Sequence, residues 1–489
     1  MASSESVAAI ETIRSQLSTV YDAIMGDTKR VMLHAFENNL ILYARHGCEL
    51  EEYSAHLNRL YEIAFPPLNT AAGEDVSFIR RIHDAVSPLP YPSGYSVSPH
   101  WDRISKTFPR MALLLHDLRY VVYSGQGPHS GFDHRIDHNT AEITGVINYK
   151  AQIVKQDYDV DLFDSSERDA LEESAYSIPT SVVEVRGRKY SSMFLTHYQQ
   201  FKRIEKNIGR ENIRRVMEIG GGYGGLARIF GGLIDDMQYV IIDLMGSLVF
   251  SYAFLRLNFP DAQIVVVDSA DPNPAALAQA AFILVPVQFV QTVKHLPFDV
   301  VINTGSLQEM NQPTVDFFMN YIENELDAKY FYSFNYFLTL KQKHRETSGH
   351  DDPNLPNLIC PNVSSKWVSV FARLNTPGLV FDNHSRNYLE ILLKKDSAAQ
   401  PEQRAVWHLA KAQQHAVMTD GWFHHALSAV LAVKNPIYIQ HFLDGVRLFM
   451  TSECSIPNFT FDPKTAPDTK TVQNAYDNLG EVRYLRALL

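Results

Sequence analysis

Apolar residues recur along this chain with two different periods, and the change from one to the other divides it. Ile10, Ile13, Leu17, Val20 and Ile24 fall three and four apart, a spacing that predicts one buried face of a helix. Further helical runs are predicted over Val31–Ala44 and Ala55–Ile63, the latter stopped by Pro66 and Pro67. The Pro-, Ser- and Gly-rich run VSPLPYPSGYSVSPHW reads as a loop or crossing segment. Met111–Tyr123 is apolar without a decisive period, and Ser124–Asn139 is a polar loop. Helical signals return at Ser165–Ser174 and from Ser191 to Asn207.

Beyond residue 211 the period shortens. Strands are predicted at Arg215–Ile219, Tyr239–Ile242, Gln263–Val267, Phe282–Val287, Asp299–Asn303 and Tyr330–Phe334, with helices between them. Near-continuous apolar strands alternating with helices predict an α/β fold: a Rossmann-like domain with a mixed, mostly parallel sheet, flanked by N- and C-terminal helical regions. Lys366–Leu374 and Tyr388–Lys394, separated by a turn-rich stretch, are predicted to close the sheet as an antiparallel pair. Two packed helices are expected over Leu427–Val433 and Ile437–Met450, broken at Asn435–Pro436. The expected division is therefore 1–190, a mostly helical lid or dimerisation region; 191–396, the nucleotide-binding domain; and 397–489, a helical end.

The strand-to-helix junction at 216–230, VMEIGGGYGGLARIF, carries the most specific chemistry. Glycines allow positive φ in a tight turn and let a ligand touch bare main chain. Gly220, Gly222 and Gly225 satisfy the dinucleotide pattern GxGxxG, while Glu218, Gly220, Gly222 and Gly224 satisfy ExGxGxG. Asp243 ends the next strand, where a carboxylate accepts both ribose hydroxyls of an adenosine. The late antiparallel pair favours S-adenosylmethionine over a nicotinamide dinucleotide, as does Glu218, which would face a methionine amino group. Cofactor contacts are expected from Glu218, Gly220, Gly221, Gly222, Gly224, Asp243, Leu244 and Asn303. For the adenine two strand ends compete, one at Asp268 and one at Gln288, and the sequence does not choose between them.

The strings EIGGGYGGLARIF (218–230), YVIIDL (239–244) and FDVVINTGSLQEM (298–310) together resemble the sugar O-methyltransferase family of class I S-adenosylmethionine-dependent methyltransferases. The likeness covers about residues 190–395 and departs at 244–247, where Leu-Met-Gly-Ser replaces the family's Leu-Pro-Glu. It implies methyl transfer to a hydroxyl of a sugar or glycosylated small molecule. Removing the hydroxyl proton calls for a base, and Glu309, which follows the strand Asp299–Asn303, is one candidate. His350 with Asp351, in the polar loop KQKHRETSGHDDPN, is the other.

Composition narrows the partners. The chain has 489 residues, is 45% hydrophobic and carries a formal net charge of -11, which disfavours a polyanionic substrate such as nucleic acid. Three dispersed cysteines (Cys48, Cys360, Cys454) point to a reducing, cytoplasmic setting. The most apolar run, Ala280–Val290, is too short to cross a bilayer and contains Pro286, so no membrane partner is expected. The Asp–His pairs at 133–134 and 137–138 lie in a Gly-containing polar loop, and no metal site is assigned. A homodimer through the helical regions is the expected assembly.

Overall fold

The computed structural model describes residues 72–98, 115–124, 140–161, 171–176, 183–339, 366–375, 386–396 and 420–433, with isolated residues at 58, 101–102, 105–106, 109, 112–113, 401, 405, 408 and 411–412. Three helices precede the sheet: α1 (Ala72–Val86), α2 (Leu118–Ser124) and α3 (Thr140–Tyr158). A small antiparallel hairpin, β1 (Val183–Val185) and β2 (Arg188–Tyr190), leads to α4 (Ser192–Ile208). Ser191 caps α4 by accepting from the Phe194 N–H at 3.0 Å, satisfying one of the donors a helix start leaves open. Met111–Tyr123 resolves to helix at its end, in α2. The helix expected over Ser165–Ser174 is not formed in its described part, 171–174, where Glu173 N–H instead bonds Lys189 O at 2.7 Å.

The main sheet follows as β3 (Arg215–Ile219), α5 (Gly225–Leu233), β4 (Gln238–Asp243), α6 (Met245–Asn258), β5 (Ile264–Val266), α7 (Pro274–Gln279), β6 (Phe282–Pro286), β7 (Pro297–Thr304), α8 (Gln312–Asn320), β8 (Asp327–Thr339), β9 (Trp367–Asn375), β10 (Arg386–Lys395) and α9 (Asp420–Val433). Its spatial order is β5-β6-β4-β3-β7-β8-β10-β9. All pairings are parallel through β8, and β10 is antiparallel to both β8 and β9. This is a Rossmann-like sheet whose direction reverses only at its far end. The middles of its parallel strands are mainly apolar because helices cover both faces. Chain order reverses between β3–β4 and β3–β7, and ligands of such sheets bind at the carboxyl ends there.

One apolar layer joins α1, α2, α3, α4, α5 and α6 to one sheet face; the other joins α8 and α9 to the opposite face. The described N- and C-terminal helices thus share the sheet's core. Among the described residues, no helix is long and apolar enough to cross a membrane.

One buried charged group links α3 and α4 to the antiparallel end of the sheet. Glu390 on β10, fully buried, accepts from Arg203 of α4, from Tyr332 Oη of β8 at 2.5 Å and from Arg373 Nε of β9 at 3.1 Å. Arg203 Nε in turn donates to Tyr158 Oη at 3.0 Å, at the end of α3. Removing one member leaves an uncompensated charge in the core. Glu390→Ala is expected to lower unfolding stability by about 3–5 kcal/mol, read as a fall in the urea midpoint. Removing the surface carboxylate Asp327→Ala is expected to cost less than about 1 kcal/mol.

Candidate functional site

The site is built on the main chain between β3 and α5. Gly220 (φ +73), Gly222 (φ +56) and Gly224 (φ +87) all occupy the left-handed region, which disfavours any side chain. The close approaches differ between positions. A Cβ on Gly220 would lie 2.1 Å from Ser306 Oγ, and one on Gly221 would lie 2.8 Å from Ile241 Cγ2 and 3.0 Å from Glu218 Oε2. A Cβ on Gly222 would meet nothing within 4 Å. The turn is therefore packed from below at 220–221 and faces open space at 222.

Asp243 closes the other side. Its Oδ2 accepts from Gly222 N–H at 2.9 Å and its Oδ1 from Leu244 N–H at 2.7 Å. The turn and the carboxylate therefore converge, and with Ser247 as a third donor the carboxylate keeps acceptor capacity for a ligand. Burial raises the Asp243 carboxyl to about 6, against the opposing pull of these two backbone donors and Ser247. Glu218 lies beneath the turn, 2% exposed, accepting from Tyr239 Oη at 2.8 Å. Burial raises it to about 7; the Tyr239 hydrogen bond opposes this and the Asp243 charge adds to it.

Pairing order separates the two adenine candidates in space. β6 lies directly beside β4, with Pro286 opposite Asp243 in register, so Gln288 follows at the same edge. Its Oε1 is buried and has no hydrogen-bond partner among the described residues. Asp268 instead follows the outermost strand β5 and is exposed, one strand farther from Asp243. The two adenine candidates thus differ in place: Gln288 follows the strand beside β4, and Asp268 follows the edge strand.

Asn303 departs from the expectation that it contacts the cofactor. It is fully buried and its amide is saturated: Nδ2 donates to Ile219 O at 2.8 Å and Ser306 Oγ at 2.6 Å. Its Oδ1 accepts from Leu307 N–H at 3.2 Å and Asn335 Nδ2 at 2.9 Å. Asn303 holds the ends of β3, β7 and β8 together; it does not present its amide to a ligand. Glu309 lies half-buried in a short 3₁₀ turn after β7. His350 and Asp351 lie outside the described residues.

Three contributions escape a reading of local sequence. The run Tyr91–Ser98 crosses toward the site and is pinned to the start of α8. There Thr314 Oγ1 accepts from Ser96 N–H at 3.0 Å and Asn311 Nδ2 donates to Ser96 Oγ at 2.6 Å. This brings Tyr95 close enough to Asp243 for the carboxylate's charge to add to the effect of burial in raising the Tyr95 hydroxyl. Tyr95 also packs edge-on against Phe317 and Phe318, with ring centres 5.9 and 5.7 Å apart. Ser251 of α6 donates to Gly222 O, fixing the turn from the helix side. Gly246 explains the departure at 244–247, since a Cβ there would lie 2.3 Å from Ser105 O. A larger residue would push the N-terminal segment off α6.

The packing predicts a contrast between two glycines. Gly222→Ala is expected to fold, with a cost of about 1–2 kcal/mol for its positive φ, and to lose ligand affinity because the methyl enters the open space. Gly220→Ala is expected to lower the thermal midpoint further, because Ser306 is itself held by Asn303. Thermal unfolding with and without ligand separates the two effects.

No family model matches the chain, and no curated protein matches it. Solved structures of methyltransferases do align with it. One is the small RNA methyltransferase HEN1, at 8% identity and TM-score 0.27, over 42% of this chain and 26% of that one. This chain thus spans about a quarter of HEN1's length. Another is phospholethanolamine N-methyltransferase 2 of Haemonchus contortus in complex with S-adenosylhomocysteine, at 15% identity and TM-score 0.29, over 41% and 52%. A third is the cyclopropane synthase MmaA2 of Mycobacterium tuberculosis, at 10% identity and TM-score 0.27, over 40% and 84%. With TM-scores below 0.3, the activity and acceptor of this chain are read from its own residues.

Proposed function

We propose that this chain is an S-adenosylmethionine-dependent methyltransferase acting on a hydroxyl of a sugar or glycosylated small molecule. The observation that carries this reading is the Gly222–Asp243 hydrogen bond at the ends of adjacent strands, with Gln288, its Oε1 unpartnered among the described residues, following the next strand over. An adenosine fits those groups: its ribose hydroxyls donate to Asp243, and its amino group donates to Gln288 Oε1. The bare main chain at 220–222 then lies alongside the amino-acid end of the cofactor, above Glu218.

Bound S-adenosylmethionine supplies an activated methyl group on a sulfonium centre. The chain's own part is to hold the acceptor oxygen in line with that carbon and to take its proton. Glu309, on the segment following β7, is the described candidate for the base; His350 with Asp351 is the other. Two buried carboxyls near the turn, Glu218 and Asp243, complement a positively charged ligand. The antiparallel end of the sheet supports S-adenosylmethionine over a dinucleotide. The sugar acceptor rests on the resemblance at 218–230 and 298–310, and the net charge of -11 supports an acceptor without a phosphate backbone.

Calorimetric titration with S-adenosylhomocysteine and with NAD tests the cofactor. Binding of S-adenosylhomocysteine is expected; binding of NAD alone overturns the reading. Asp243→Ala is expected to weaken S-adenosylhomocysteine by about 1.5–3 kcal/mol, the scale of hydrogen bonds to a charged group. Because the ribose is held by the ionised carboxylate, affinity should fall as pH drops through about 6, where Asp243 takes up a proton. In Asp243→Asn that inflection should vanish. Methyl transfer from labelled cofactor to a panel of sugars, glycosides and peptides then identifies the acceptor class, and transfer only to peptides would displace the sugar.

A further inference from the structure

A second cluster lies on the far edge of the sheet. His408, His424 and His425 each place a ring nitrogen within 4.8 Å of the others. The Nδ1 atoms of His408 and His425 are 3.0 Å apart, and the rings of His424 and His425 lie 4.7 Å apart centre to centre. Two nitrogens ligating one tetrahedral zinc at about 2.0–2.1 Å stand roughly 3.3 Å from each other; the His408–His425 pair is already near that spacing, and separations within the cluster of up to 4.8 Å close by side-chain rotation.

The surroundings favour ligation. His408 is buried, while His424 and His425 are half-buried on α9, leaving a solvent side for a fourth ligand. Ser369 Oγ of β9 lies 3.3 Å from His424 Nδ1, the kind of outer hydrogen bond that orients a ligating imidazole. Three imidazoles pressed together pay a repulsive cost whenever more than one is protonated. A divalent ion bound to their neutral forms removes that cost.

We propose that His408, His424 and His425 form a binding site for a divalent transition metal that prefers nitrogen donors, zinc among them. Four strand spacings separate β9 from β3, about 19 Å, so the site lies away from the glycine turn. Its role is structural: the ion ties His408 to α9, whose His424 already meets Ser369 of β9.

The full chain, stripped of metal with a chelator, is titrated with zinc, cobalt and magnesium. One zinc per chain is expected at micromolar concentration, with a higher thermal midpoint that chelation reverses. Cobalt is expected to give the visible absorption of a tetrahedral site, and magnesium no shift. His424→Ala and His425→Ala should each weaken zinc at least tenfold, with folding followed by circular dichroism. If these variants do not fold, the cobalt spectrum and zinc stoichiometry of the parent chain decide. Absence of both overturns the proposal, as does undiminished zinc uptake by a folded variant lacking all three histidines.

Discussion

The structure turns on how closely the main chain after β3 can approach its neighbours. Ser306 sits where a side chain on Gly220 would be, and Ile241 with Glu218 where one on Gly221 would be. This packing brings the ends of β3, β4 and β7 within reach of one another, and the Gly222–Asp243 hydrogen bond fixes the result. With a bulkier turn the carboxylate and the bare backbone would separate, and no single small molecule would touch both. The flanking helices extend this frame, since their apolar faces join the same layers that cover the sheet.

Buried charge is distributed unevenly around that frame. At the glycine turn two carboxyls are held above their ordinary range, Glu218 near 7 and Asp243 near 6. Behind the turn, burial lowers Lys150 to about 8, where it donates to Ser192 and Thr196, and burial with the Lys150 charge lowers His197 to about 4. The glycine turn therefore lies between groups that gain from a nearby positive charge and groups that resist carrying one. By contrast, Glu390 is paired on several sides and joins helices to strands.

Much of the sheet was legible in the sequence because its strands are short apolar runs with turn residues at their ends. Arg215–Ile219 coincides with the observed strand, and the late antiparallel pair is present. Which strand lies beside β4 was not legible: the choice between Asp268 and Gln288 depends on β6 inserting between β5 and β4, a long-range pairing without local mark. Asn303 was misread for a related reason. Its amide is saturated partly by Asn335, 32 positions later. Tyr95 feels the charge of Asp243 and Gly246 lies against Ser105, approaches that no spacing rule reveals. The three clustered histidines likewise come together through folding, since His408 lies 16 positions before His424.

The saturated amide of Asn303 has one further consequence. Asn303, Asn335, Ser306 and Ser333 carry no ionisable group, so the clasp joining the strand ends keeps its donors and acceptors at every physiological acidity. Directly above it, Glu218 and Asp243 gain or lose protons within that same interval. Scaffold and charge therefore meet at one point: on acidification the clasp is unchanged, while the bond from Gly222 N–H weakens as Asp243 takes up its proton.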